Sequence, residues 1–211
     1  WDGGQLSVVV EPTSTIRIMP GEDNWTVLRE IPSVEQGTDG WDFFEGNSPD
    51  SARLLTKLSG DKSEYTSRRT DGLSVKKDFV HTGAELDPIY EWVVARNGDI
   101  DIYGTYTKYG QEDQNPDYPD GVTVIVRKND KVLLRKKVKV LKGDGNNNVI
   151  SFHFDKVAVK RADRISFQIS RDKNYAWDGG QLSVVIEPTS KLQLKPGSDN
   201  NTVLGDIKYV K

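Results

Sequence analysis

Apolar and polar residues alternate along the second half of the chain. The pattern runs through Asp101-Ile102-Tyr103-Gly104-Thr105-Tyr106, Val122-Thr123-Val124-Ile125-Val126-Arg127, Ile165-Ser166-Phe167-Gln168-Ile169 and Leu182-Ser183-Val184-Val185-Ile186. A period of two sends successive side chains to opposite faces of a strand. Val122, Val124 and Val126 therefore face a core, as do Ile165, Phe167 and Ile169, and Leu182, Val184 and Ile186. Strands are predicted at about 99–108, 121–128, 131–141, 149–155, 164–170 and 181–187. Asn129-Asp130 is a short polar turn that makes a hairpin of two of them. All nine prolines fall between strand candidates, where they cost no ladder hydrogen bond. One helical turn is predicted, near Ser51-Ala52-Arg53-Leu54-Leu55. Trp92 reads as core, whereas Trp41, Phe43 and Phe44 fit either a core strand or an exposed aromatic strip. Many strands joined by Gly- and Asn-rich turns predict an all-β fold, a jelly-roll-like antiparallel β-sandwich, with a closed barrel as the second architecture.

If each connection reverses the chain, alternate connections share an end. The connections around 109–120, 142–148 and 171–180 then gather at one end. They bring Tyr109, Glu112, Asp113, Asp117, Tyr118 and Asp120 together with Asp144, Asn146, Asn147 and Asn148, and with Asp172, Asn174, Tyr175, Trp177 and Asp178. The other end offers Lys128, Asn129, Asp130, Lys156, Lys160, Arg161 and Asp163, an ordinary solvated rim.

The first end has the chemistry of a carbohydrate site. Aromatic faces stack on the C–H face of a pyranose, while amides and carboxylates meet its hydroxyls. The candidate binding residues are Tyr109, Tyr118, Asp120, Asn174, Tyr175, Trp177 and Asp178. The plainer alternative is that Asn, Asp and Gly are what turns are made of, with Trp177 plugging the sandwich end. Clustered oxygens also suit a hard cation, so Asp113, Asp117 and Asp144 are candidate ligands for a structural calcium ion. Tyr103 and Tyr109 share a parity with Thr105 and Thr107, which gives the sheet an outward Tyr/Thr face.

The charge balance of 29 basic to 32 acidic residues makes no electrostatic case for nucleic acid. No apolar run is long enough to cross a bilayer as a helix. With no cysteine, thiolate metal sites, thiol nucleophiles and disulfides are excluded. There are two histidines, His81 and His153, and neither has a second ligand at metal spacing. No serine sits in a Gly-x-Ser-x-Gly elbow. The chain reads as a binding or structural module without catalytic residues, although spatial carboxylate pairs are beyond sequence.

The two ends of the chain repeat each other. Residues 1–31 read WDGGQLSVVVEPTSTIRIMPGEDNWTVLREI, and residues 177–207 read WDGGQLSVVIEPTSKLQLKPGSDNNTVLGDI. The offset of 176 residues is the size of a domain, far beyond solenoid repeats of roughly 20–50 residues. This predicts a tandem array: residues 1–31 are the tail of a preceding repeat, 32–207 one sandwich module and 208–211 a tail. One copy of the repeated strand would complete the fold and leave the other for a neighbouring module. A chain that opens on Trp1 in mid-repeat reads as a piece of a longer protein. Repetition and the absence of cysteine point to the outside of a cell.

Gly121-Val122-Thr123-Val124-Ile125-Val126-Arg127-Lys128-Asn129-Asp130-Lys131-Val132 is followed by Val149-Ile150-Ser151-Phe152-His153-Phe154. Then come Arg161-Ala162-Asp163-Arg164-Ile165-Ser166-Phe167-Gln168-Ile169 and Asn174-Tyr175-Ala176-Trp177-Asp178. This order resembles the galactose-binding-like β-sandwich modules of secreted and cell-surface bacterial proteins, many of them carbohydrate-binding. The resemblance covers roughly residues 89–187. It implies a sugar site in loops at one end or on one sheet face, often a structural calcium, and polysaccharide or glycan as the partner beside neighbouring repeat modules.

Overall fold

The computed structural model describes residues 26–28, 31, 33–109, 121–138 and 148–189. The strands are β1 (Thr26–Val27), β2 (Trp41–Gly46), β3 (Arg53–Leu54), β4 (Lys57–Leu58), β5 (Glu64–Thr66), β6 (Ser74–Lys76) and β7 (Val80–His81). They continue as β8 (Asp87–Val93), β9 (Gly98–Lys108), β10 (Val122–Lys128), β11 (Lys131–Val138), β12 (Val149–Val159), β13 (Arg164–Arg171) and β14 (Gly180–Pro188). One sheet runs β12-β9-β14-β7-β6-β5-β4, with β1 also beside β14. The other runs β11-β10-β13-β8-β2-β3. Every pairing is antiparallel. This is the all-β, antiparallel sandwich that the alternation predicts.

The inward sets are those read from the period. Val122, Val124, Val126, Ile165, Phe167, Ile169, Leu182, Val184 and Ile186 are all buried, together with Ile100, Ile102 and Tyr106. Gly104 takes an inward position with no side chain, and the Phe152 ring of the adjacent strand fills that space. From there Phe152 meets Phe167 of the opposite sheet, ring centroids 6.0 Å apart.

Trp41 and Phe43 are core residues of β2. The Trp41 indole N–H donates to Thr26 Oγ1 at 2.7 Å, and its ring lies against Phe167. Trp92 is buried as well. The edge strand β11 carries Lys131, Arg135, Lys136 and Lys137, charges that discourage pairing with another sheet.

Two local expectations are corrected. The helical turn near 51–55 is a single 3-10 turn at Pro49–Ser51, after which Arg53–Leu54 extends as β3. The ladder with β2 wins, because Phe44 and Glu45 pair with Leu54 and Arg53, and Leu55 N donates to Phe43 O. The prolines do not all lie between strands. Pro188 closes β14, and Pro88 is the second residue of β8, paired with Glu45 on one side. On the other side the ladder to β13 begins only at Ile89, so Pro88 breaks no bond there.

The end opposite the candidate site is the solvated rim expected, and a latch of hydrogen bonds runs across it. In the β10–β11 turn Asn129 adopts φ 50°, its Nδ2 donates to Asp163 Oδ1 at 3.0 Å, and its Oδ1 accepts from Arg164 N. Asp163 also accepts from Lys160 N and faces Lys128 Nζ at 3.1 Å. These bonds, that from Asn129 foremost, hold the Asp163 carboxyl at a pKa of about 2. A depressed carboxyl stabilises the fold above its ordinary pKa and loses that contribution as pH falls through the folded value. The stability difference between the parent and Asp163→Asn is therefore expected to be full at neutral pH and to shrink between about pH 4 and 2. Urea midpoints across that range check it, and a pH-independent difference is the opposing result.

Candidate functional site

The three connections share one end of the sandwich, as direction reversal predicts. Lys108 pairs with Gly180 and Thr107 with Val149, while Val122 pairs with both Val138 and Arg171. The ends of the connections 109–121, 139–148 and 172–179 thus share one end of the sandwich. Of the candidate sugar residues, Tyr109, Asn174, Tyr175, Trp177 and Asp178 are described. Tyr118 and Asp120, and the calcium candidates Asp113, Asp117 and Asp144, lie outside the described residues. Among the described residues no group of three or more His, Asp or Glu side chains converges as a metal site.

Tyr109 follows β9 directly, its N–H bonded to Gly179 O and its hydroxyl donating to Gln181 Oε1 at 3.1 Å. Its ring lies nearly parallel to Phe79, centroids 6.4 Å apart and planes at 19°. Phe79 neighbours His81, and His81 meets Tyr175 edge-on, centroids 6.3 Å apart. Phe79, His81, Tyr109 and Tyr175 make a continuous aromatic row at this end. The row depends on two glycines. A Cβ at Gly179 would come within 2.9 Å of the Phe79 ring, and one at Gly72 within 2.6 Å of Tyr175. His81 Nδ1 donates to Thr82 O at 2.7 Å, which fixes the orientation of the ring.

Phe79 and His81 are not among the residues the loops predict. Their signal is faint: an aromatic and a histidine two positions apart, at the start of a two-residue strand.

Trp177 does not plug the sandwich. Its side chain is among the most exposed large apolar groups, at 56%, with Tyr109 at 41%. Its backbone has φ 64°, a left-handed conformation uncommon for a bulky residue. That backbone is fixed from beneath. Lys108 Nζ donates to Trp177 O at 2.8 Å, and Asp178 N donates to Tyr175 O. Asn174 Oδ1 caps the same turn by accepting from Ala176 N.

Asp178 has no exposed surface. Its Oδ2 accepts from Thr82 Oγ1 at 3.3 Å, and Oδ1 faces Lys108 Nζ at 3.7 Å, with Lys108 itself only 1% exposed. A carboxylate so placed is out of a ligand's reach and serves instead to hold Lys108 under Trp177. Burial, and after it the Asp178 charge, pushes the neighbouring Tyr106 phenol well above its ordinary pKa.

On the outward face of the larger sheet, Tyr103 stacks on His153 across the β9–β12 pair, centroids 4.1 Å apart, and His153 Nε2 lies 2.7 Å from Asp155. The predicted Tyr/Thr face is therefore real at Tyr103 and Thr105.

No protein-family model matches the sequence, and no curated protein matches it. Solved structures with a related outline include TmCBM61 in complex with β-1,4-galactotriose, 10% identical with a TM-score of 0.34, over 78% of this chain and 88% of that one. A family 35 carbohydrate binding module from Clostridium thermocellum is 9% identical with a TM-score of 0.31, over 58% and 85%. The pika GITRL structure is 14% identical with a TM-score of 0.31, over 71% and 98%. At these values the likeness decides nothing about function.

Proposed function

We propose that this chain is a non-catalytic module that binds polysaccharide at the end of the sandwich carrying Tyr109, Tyr175 and Trp177, in a secreted or cell-surface bacterial protein. The observation that carries this reading is Trp177. A large apolar ring is held in water on a left-handed backbone, and a buried Lys108–Asp178 pair anchors the turn that presents it. Strained backbone and exposed apolar surface are both costly to keep, and both concentrate where ligands bind. The row Tyr109, Phe79, His81 and Tyr175 stands at the same end of the sandwich. The Asn174 amide and the Gln181 side chain, bonded to the Tyr109 hydroxyl, supply polar groups at its margin.

Trp177→Ala and Tyr109→Ala are each expected to weaken binding to a retained polysaccharide about two- to twelvefold, since ring stacking is worth about 0.5–1.5 kcal/mol. The melting temperature should stay close to that of the parent. Affinity electrophoresis against a panel of soluble polysaccharides, with melting curves for each variant, reads both. Retention of no polysaccharide, or retention indifferent to both substitutions, removes the proposal.

A further inference from the structure

The slot that β1 fills has two claimants in the same chain. Thr26 and Val27 lie antiparallel to β14, Thr26 opposite Ile186 and Val27 opposite Val185. All the described residues of this segment are buried: Thr26, Val27, Leu28 and Ile31. Thr26 accepts the Trp41 indole N–H, so the slot is specific for a hydroxyl at that position as well as for apolar bulk.

The sequence Thr26-Val27-Leu28-Arg29-Glu30-Ile31 recurs as Thr202-Val203-Leu204-Gly205-Asp206-Ile207. The four residues whose burial fills the slot are the same four in both copies. The two positions that differ are the two between them. Only 13 residues, 189–201, separate the end of β14 from Thr202. Fully extended they reach about 43 Å, and a strand beside β14 is only about 4.8 Å away.

We propose that residues 202–207 are an alternative occupant of the β1 slot, with Thr202 and Val203 pairing with β14 as Thr26 and Val27 do. Filled by residues 26–31, the slot ties the sandwich to the chain that precedes it. Filled by 202–207, it closes the sandwich on the chain that follows β14 and frees the upstream segment. In a series of such modules the slot is then a joint at which either neighbouring segment seats. This does not depend on the sugar site, which lies at the opposite end of β14.

A double-mutant cycle in the full chain tests it. Leu204→Ala/Ile207→Ala alone should leave the urea midpoint unchanged. Leu28→Ala/Ile31→Ala should lower it only modestly, because the second copy takes over. The four substitutions together should lower it by more than the sum. A quadruple variant no less stable than Leu28→Ala/Ile31→Ala, or failure of that pair to fold, overturns the proposal.

The absence of cysteine allows a second readout. Val185→Cys/Val203→Cys should form a disulfide under mild oxidation, to a greater extent on the Leu28→Ala/Ile31→Ala background. Directly opposed residues on antiparallel strands have Cα atoms about 4.5–5.5 Å apart, within disulfide range. A cross-linked monomer on a non-reducing gel places the exchange within one chain, and a cross-linked dimer places it between two copies. No cross-link on that background overturns the proposal.

Discussion

Lys108→Met is expected to lower the unfolding free energy by about 3–5 kcal/mol, because it takes a buried cation from beside the buried Asp178 carboxylate. A surface ion pair would be worth a fraction of that. What sets this pair apart is burial: Lys108 and Asp178 expose almost none of their side chains, 1% and 0%. The same substitution removes the donor to Trp177 O, so it should loosen the turn that presents the indole and weaken polysaccharide retention. Adding Asp178→Asn to Lys108→Met should recover part of the stability, since a neutral amide is far cheaper to bury than a charge. It should not recover the binding, because the Trp177 carbonyl still lacks its donor. Urea unfolding of the parent, the single variant and the double variant checks the first half, and affinity electrophoresis the second. A loss below about 1 kcal/mol for Lys108→Met would show that the pair is solvated.

Trp41→Ala is expected to cost about 3–5 kcal/mol, while Trp177→Ala changes stability by about 0.5 kcal/mol or less. The two tryptophans separate the fold from the site. Trp41 is fully buried, packs on Phe167 and bonds Thr26, so its removal leaves a cavity between the sheets and a buried hydroxyl without its donor. Trp177 stands in water. Thermal or urea unfolding of both variants reads the contrast, and a Trp177→Ala loss as large as that of Trp41→Ala would mean that the exposed ring is structural.

How far the sequence could be read follows from strand length. β9, β10, β13 and β14 run 7 to 11 residues, long enough for several periods of alternation, and their inward faces are those the pattern predicts. β3 to β7 are two or three residues each, too short to show a period. β8 is buried on both faces for most of its length, with Asp87 and Glu91 buried beside Ile89, Tyr90 and Trp92, so no apolar–polar alternation marks its inward face. The shared end of the three connections followed from direction reversal alone, which is why Tyr109, Tyr175 and Trp177 come together as predicted.

Asp178 shows where composition misleads. Acidic loop residues suggest contact with solvent or ligand, but Lys108 shares the even parity of Ile100, Ile102 and Tyr106 and is carried inward with them. The inward lysine takes the nearest carboxylate as its partner. Phe79 and His81 were hidden for another reason: their position in the row depends on β7 lying beside β14 at Gly180, a long-range contact that local pattern does not encode.

The antiparallel setting of β1 on β14 has a mechanical consequence. Thr26 sits beside Ile186, so the segments entering and leaving the described sandwich emerge together at one end. A pull on those segments peels the two strands apart from that end, loading their bonds one after another instead of shearing them at once. Among the described residues β1 holds β14 by two register pairs and β9 holds it by nine. Tension along the chain therefore empties the β1 slot before it disturbs the β9–β14 ladder, and the first extension under load is the release of that short strand.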